Sequence, residues 1–163
     1  MESRNTRSYR EFVHSLLHVD GLKGAYAGVL CLDAHGAVAF ADGAFHAEPH
    51  APSRHLVRVA LPSDESDDLE DSDALLDTRQ FLRVFETHDT ARHLQLHALH
   101  VGDTRFQVVG ASFTSASAVA SGRRHALAVE RLPFGVLVVV ASYPQALERV
   151  LPLVGAQCAR ARR

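Results

Sequence analysis

The 163-residue sequence has few cysteines and no long apolar runs, the features that mark secreted and membrane-spanning chains. It contains two cysteines, Cys31 and Cys158, and their spacing matches neither a disulfide framework nor a metal motif. A reducing cytosolic setting is therefore expected, with both thiols buried as small hydrophobic groups. No apolar run approaches the roughly 20 residues that a membrane-spanning helix needs, and no apolar leader precedes a cleavage signal. The sequence thus predicts a cytoplasmic protein without integral membrane association.

The sequence also lacks a net positive charge and the motifs of common enzymes. The formal net charge is -2, whereas a general nucleic-acid binder is normally markedly basic. No H-E-x-x-H, paired CxxC, phosphate-cradling glycine loop or G-x-S-x-G occurs. Among the histidines, His93 and His97 lie on one face of a predicted strand and His100 on the other, so local spacing does not bring three ligands together. We therefore expect no catalysis, no cofactor, no metal site and no nucleic-acid binding.

The last third of the chain is predicted to form the centre of the fold. Residues 136–142 form a short, mostly β-branched block, which is typical of a central strand buried on both faces. A preceding strand and a Pro-Phe-Gly turn at 133–135 predict a hairpin. Apolar residues then recur at helical spacing, at Leu147, Val150, Leu151, Val154 and Cys158. The chain is therefore expected to end in a helix that lies on the sheet and is kinked or split at Pro152.

The first part of the chain predicts a helix, a hairpin and one ambiguous segment. Apolar residues at three-to-four spacing indicate an amphipathic helix over residues 8–18. Segments 25–33 and 37–42 are predicted to be apolar strands on either side of an Asp-Ala-His-Gly turn. The glycine of this turn can adopt a positive φ. The segment 56–61 fits either a short edge strand or a helical turn.

A strongly acidic segment follows. Seven of the ten residues 64–73 are acidic, and such a self-repelling segment stays solvated because it has little to bury. We interpret about 62–73 as a surface loop inserted into a single domain that spans residues 1–163. The alternative is a docking segment for a basic partner.

The second half of the chain completes a mixed fold. Helical spacing returns over residues 75–86, and strands follow, of which the small-residue segment 115–121 is the weakest. The predicted order is helix, two strands, helix, four strands, helix. Short connections favour antiparallel pairing, and helices at the two chain ends must cover one face. The expected class is α+β, with a single central antiparallel sheet of about six to seven strands and the N- and C-terminal helices packed on one face.

Several short segments occur in an order that is typical of one family. The first helix contains Tyr9-x-x-Phe12-Val13, and Phe40 follows the Asp-Gly turn of the first hairpin. A glycine turn with a basic and an aromatic residue opens a middle strand at 101–106. Ser-Gly-Arg-Arg at 121–124, AVERL and VLVVVASY precede the last helix. In this order the chain resembles profilins over nearly all of its length outside about 45–73.

This resemblance implies a monomeric, cytoplasmic regulator of the cytoskeleton that binds actin monomers and modulates filament assembly. It also implies binding of phosphoinositides and of proline-rich segments, whose preformed helix docks on flat aromatic faces at little entropic cost. The implied actin-binding residues are Arg105, Arg123, Arg124, Arg131, Gln145 and Glu148. The implied polyproline-binding residues are Tyr9, Phe12, Phe40 and Tyr143.

Some expected features of that family are missing. The chain has no tryptophan, and its last helix carries no aromatic residue after Tyr143. The family's Lys-Thr pair is Arg131-Leu132 in this sequence, and the loop before the last helix is short. We therefore expect weak binding of proline-rich segments.

The predicted order also suits a different class of protein. Roadblock or longin-like scaffolds, which dimerise and serve small GTPases, have an opening helix, a hairpin, a second helix, further strands and a last helix. They have three strands after the second helix, so the weak strand at 115–121 distinguishes the two interpretations.

Overall fold

The computed structural model describes residues 11, 14–15, 26–47, 55–59, 74–85, 98–101, 104–120, 125–142 and 150–161. Strands contain 63% of these residues. The strands are β1 (Tyr26–Asp33), β2 (Val38–Gly43), β3 (Phe45–Ala47), β4 (Leu56–Val59), β5 (Ala74–Asp77), β6 (Ala98–Val101), β7 (Thr104–Ala111), β8 (Ser115–Ala120), β9 (His125–Leu132) and β10 (Gly135–Ser142). The helices are α1 (Gln80–Arg83) and α2 (Leu151–Ala161), and Glu11, His14 and Ser15 are also helical.

Seven strands form one curled antiparallel sheet in the shape of a half-barrel. Their order is β2-β1-β10-β9-β8-β7-β6, which makes β9 the middle strand. Strands of L-residues twist in one direction, and the register shifts within β1 and β7 add local twist. A second, three-stranded antiparallel sheet has the order β3-β4-β5.

The inner face of the curled sheet holds the larger hydrophobic core. Strand alternation places Leu127 and Val129 of β9 and Val138 of β10 on this face. The second sheet and α1 cover the face with fully buried side chains, among them Phe45, Val57, Leu76 and Phe81. Each large apolar side chain buried in this way contributes about 1.5–3 kcal/mol. Burial on the inner face therefore holds the second sheet against the half-barrel.

The outer face is covered by α2, but only in part. Val154 and Cys158 pack against Val29 and Cys31 of β1 and against a strip of β9 and β10. The strip contains Ala126, Ala128, Leu137, Val139 and Ala141. Its small side chains let the helix approach the sheet closely. Among the described residues, this outer cluster includes no side chain of β6, β7 or β8.

Two predicted hairpins are confirmed. β9 and β10 pair along their whole length and are buried on both faces. β1 pairs with β2 around a turn in which Asp33 Oδ1 accepts hydrogen bonds from the amides of His35 at 2.8 Å and Ala37 at 3.0 Å. Gly36 has φ 85° in this turn, and a Cβ there would also clash with Leu82. Glycine is therefore required at the position where the sequence predicted it.

The predicted fold class is wrong. A profilin-like α+β fold with both terminal helices on one face of a single sheet was expected, whereas the structure is mostly β and has two sheets. The inner face is covered by the second sheet and α1, and α2 lies on the outer face. The physical reason is that three short segments, β3, β4 and β5, pair with one another across long sequence separations and supply the cover expected from helices.

The predicted helix over residues 75–86 is also wrong in its first half. Ala74–Asp77 is a strand that pairs with β4, and only Gln80–Arg83 is helical. The ambiguous segment at 56–61 contains β4, which lies in the middle of the second sheet and not at its edge. Five strands follow α1, not four, and the weak strand at 115–121 is present as β8. This number does not fit the three strands of the roadblock and longin-like alternative.

Parts of the prediction lie outside the described residues. These include the acidic loop at 62–73 and most of the predicted first helix, in which Glu11, His14 and Ser15 are helical and exposed. The predicted last helix is confirmed over Leu151–Ala161. The backbone changes from π-helical at Val150 to α-helical at Leu151, close to Pro152, which supplies no N–H donor.

Candidate protein-binding surface

The structure describes three of the ten side chains that the sequence predicted for partner binding. These are Phe40, Arg105 and Arg131. The others lie outside the described residues: Tyr9, Phe12, Arg123, Arg124, Tyr143, Gln145 and Glu148.

The two described arginines lie on opposite faces of the curled sheet. Arg105 precedes the buried inner residue Phe106, so it is on the outer face, where it is exposed. Arg131 alternates with Val129 and is on the inner side, where it lines a cavity of about 590 Å³ together with Phe85. Along the strands they are roughly 20 Å apart, because Arg105 is level with the start of β9 and Arg131 with its end. These two residues therefore do not form one basic surface.

Phe40 lies on the outer face, at the edge of the cluster that α2 covers. It is half-buried, pairs in register with Cys31 and packs against the outer cluster. Tyr26, which the sequence did not indicate, is half-buried and packs against the same cluster. Phe40 is thus partly a core residue and partly an accessible aromatic ring.

Among the described residues, those on the outer face of the β7–β8 hairpin are exposed or half-buried. We use the term outer hairpin face for the outward-facing strand residues together with the exposed turn residue Phe113. The strand residues are Arg105, Gln107, Val109, Ser115, Ser117 and Val119. Val109 is 52% exposed and Phe113 is 66% exposed, and these are the exposed large hydrophobic residues of the described chain. The only sequence signal for them was the break in alternation at Val108-Val109, where two apolar residues follow one another.

The turn that carries Phe113 is held by several hydrogen bonds. Ser112 Oγ accepts from the amide of Ser115 at 3.1 Å, and the amide of Ser112 donates to the Ser115 carbonyl at 2.7 Å. The amide of Arg131 donates to the Thr114 carbonyl at 2.7 Å, which ties the turn to β9. Phe113 is therefore presented by a constrained turn.

A shallow, open pocket with a mostly apolar surface lies beside these residues. Its volume is about 350 Å³, and it is lined by Gly110, Ser112, Ser115, Ala116, Ser117, Ala128 and Glu130. Glu130 is only 5% exposed, and the Ser115 hydroxyl donates to its Oε2 at 2.6 Å. A Cβ at Gly155 of α2 would lie 3.9 Å from Glu130 Oε1. The carboxyl group thus lies at the boundary between the part of β9 that α2 covers and the exposed hairpin.

No family model, curated protein or solved structure matches the chain. Within the described ranges, no group of three or more His, Cys, Asp or Glu residues could hold a metal ion. No helix in the same ranges is both long enough and apolar enough to cross a membrane.

The strongly shifted pKa values belong to groups away from this surface. Arg79 donates to both carboxylate oxygens of Asp77, at 3.1 and 2.8 Å, and these bonds lower the pKa of Asp77 to about 2. Burial, and secondarily the neighbouring Cys158, raises the pKa of the Cys31 thiol. Neither shift brings a group toward neutral pH, where a general acid or base operates best. They support a role in stability and not in proton transfer.

Proposed function

We propose that the chain is a non-catalytic binding protein that contacts monomeric actin through the outer hairpin face and thereby regulates filament assembly. The choice of this surface is supported by the exposure of Val109 and Phe113 on a constrained hairpin. Apolar side chains on a fixed backbone lose little entropy when a partner covers them, and aromatic residues are enriched at such interfaces. A binding role explains why these two side chains are exposed next to a fully covered part of the same sheet face.

The choice of partner is supported by the sequence. The segments that resemble profilins occur in the family's order, and the family's members bind actin monomers. Because the fold is not profilin-like, it does not support actin as the partner. Only the order of the segments in the sequence favours actin over other proteins.

Arg105 adds a charge contribution to the proposed contact. It is exposed and on the same face as Val109, which is four residues away in β7. A positive group at the edge of an interface mainly accelerates association with an acidic partner and loses effect with salt, since the Debye length is about 10 Å at 0.1 M. Arg131 is on the other face and supplies a matched comparison.

The same resemblance leads us to propose weak binding of proline-rich segments and of phosphoinositides. Phe40 is the described residue that supports the first of these, because part of its ring is accessible on the outer face. Titration with oligoproline tests it, and tight binding would show that the chain has more aromatic contacts than Phe40 provides.

Three single variants test actin binding by native gel and by filament assembly assays. Phe113→Ala should weaken the complex about tenfold or more if Phe113 is a central contact. Arg105→Glu should slow association at low salt, whereas Arg131→Glu, with the same charge change on the inner side, should leave it unchanged. The proposal fails if the unmodified protein forms no salt-sensitive complex with actin monomers and does not change filament assembly at several-fold molar excess.

A further inference from the structure

A cavity of about 590 Å³ lies on the inner side of the curled sheet, at the end where the β1–β2 and β9–β10 turns meet α1. We call it the mouth cavity. Its volume is within the range of about 300–1,000 Å³ that is typical of small-molecule sites, which often occupy the mouths of barrels. Among the described residues, none of the second sheet lines it. The cover that β3, β4 and β5 give to the inner face therefore stops short of this end.

The wall of the mouth cavity is mostly apolar. Phe85, Leu132 and Val136 are buried in it, and Leu82 is half-buried. The apolar side chains that line it are Ala34, Leu82, Phe85, Leu132, Pro133 and Val136. A ligand with an apolar body would displace water from this wall, which is favourable.

The segments that form the wall are held in place by hydrogen bonds and close packing. Thr78 Oγ1 donates to the Gly36 carbonyl at 2.6 Å, and a Cβ at Gly36 would clash with Leu82. On the other side of the cavity, the amide of Arg131 donates to the Thr114 carbonyl at 2.7 Å. A site that is formed before binding loses little conformational entropy when a ligand enters.

Arg131 alone carries a charge among the described lining residues. It is exposed, whereas the adjacent Leu132 is buried, so its guanidinium lies toward the opening of the cavity. A guanidinium has five N–H donors in a plane and matches a carboxylate with two parallel hydrogen bonds. Because Arg131 is exposed, a ligand would replace water on part of the group, and the contacts that Arg131 makes within the chain can remain.

We propose that the mouth cavity binds a small amphipathic anion. The apolar body contacts Leu82, Phe85 and Val136 inside the cavity, and a carboxylate contacts the guanidinium of Arg131 at the opening. This binding is an additional function and does not rest on the contact with actin, which we place on the outer face.

The first experiment titrates the isotope-labelled full chain with sodium decanoate and follows the binding by NMR. Saturable shifts are expected at residues 82–85 and 131–136. From hexanoate to decanoate, each added methylene should tighten binding by up to about fourfold, because it buries more apolar surface. Acetate, which has the same head group and no chain, should cause no saturable shifts. Decylammonium, with the same chain length and the opposite charge, should bind more weakly than decanoate.

A second experiment uses variants that change the space or the charge of the cavity. Ala34→Trp fills the opening from an exposed turn position and should abolish the decanoate shifts, whereas Ala156→Trp, at an exposed position on α2, should not alter them. Arg131→Gln should weaken decanoate binding about two- to fivefold, as expected for an exposed ion pair. Arg131→Lys, which keeps the charge, should restore part of this loss. Arg160→Gln, at an exposed position in the last turn of α2, should have no effect.

Three results would each overturn the inference: decanoate binding that shifts other residues, equal affinity for decylammonium, or an affinity that Ala34→Trp leaves unchanged. Circular dichroism spectra check that every variant is folded, and the Arg131 variants test the inference even if Ala34→Trp does not fold. If decanoate binds as expected and actin does not bind, the mouth cavity is a ligand site and the proposed function is wrong. If actin binds and decanoate does not, the proposed function stands and this inference is wrong.

Discussion

Thr78 shows how one buried hydroxyl can join segments that are distant in the sequence. Its side chain is fully buried and donates a hydrogen bond of 2.6 Å to the Gly36 carbonyl in the β1–β2 turn. Its amide donates to the His55 carbonyl at 2.9 Å, just before β4. Thr78 thus connects the large sheet, the second sheet and the corner before α1. No local pattern in the sequence indicates this connection.

Thr78→Val should destabilise the fold without changing its shape. The variant keeps the volume but leaves the Gly36 carbonyl without its buried donor, at a cost of about 1–3 kcal/mol. Urea unfolding measures the loss. Thr114→Val, at an exposed position, should stay within about 0.5 kcal/mol of the parent. Equal effects of the two substitutions would show that the Thr78 bond has no special role.

Cys31 should make stability depend on pH in the alkaline range. Burial raises the pKa of its thiol in the folded state, so above the ordinary thiol value of about 8.5 the unfolded chain releases a proton that the native chain retains. Stability should therefore fall as pH rises, by up to about 1.4 kcal/mol per pH unit. Urea midpoints between about pH 8.5 and 10.5 test this, and the decline should be shallower in Cys31→Ala. Parallel curves for the two proteins would contradict it.

At the level of elements, the edge strand β6 is protected by a side chain of α1. The side chain of Gln80 pairs with the backbone of His100 as a neighbouring strand would. Gln80 Nε2 donates to the His100 carbonyl at 2.8 Å, and Gln80 Oε1 accepts from the His100 amide at 2.8 Å. Another bond from Gln80 Nε2, of 3.0 Å, reaches the Asp77 carbonyl. Unpaired edge groups are templates for association between chains. Gln80 therefore closes this end of the seven-stranded sheet at His100.

Gln80→Leu should increase self-association. The substitution frees the backbone groups of His100 and cannot replace either bond, so light scattering after size exclusion should show mass that rises with concentration. Gln157→Leu on α2 adds a similar apolar side chain without opening an edge, and we expect it to stay monomeric. A monomeric Gln80→Leu protein would mean that β6 is protected by other means.

Strands and turns could be predicted from the sequence where the local residue pattern and the strand pairing favour the same structure. The block of valines in β10 and the turn at Gly36 each determine a hairpin that needs only neighbouring residues. The second sheet was missed because β5 is stabilised by pairing with β4, so that Leu75-Leu76 was read as part of a helix. The outer hairpin face was missed for a similar reason, since the exposure of Val109 depends on how far α2 extends over the sheet.

At the scale of the whole molecule, the described seven-stranded sheet has a hydrophobic cluster on each face, and the second sheet covers the inner one. β9 and β10 contribute alternate residues to both, such as Leu127 to the inner cluster and Leu137 to the outer one. Neither cluster can lose its sheet residues without disrupting the strands that support the other. The two cores should therefore unfold together, although one is covered by a sheet and the other by a helix.

Leu127→Ala and Leu137→Ala form a matched pair that tests this coupling. Both leucines are fully buried on adjacent strands, and each truncation should cost about 2–5 kcal/mol. Each variant should still show a single transition, with the far-ultraviolet circular dichroism and the reactivity of Cys158 changing at the same urea concentration. A Leu137→Ala protein in which Cys158 reacts well before the strand signal is lost would show that α2 and the outer core separate from the sheet independently. In that case the edge of α2 beside Glu130 would be mobile in the native protein.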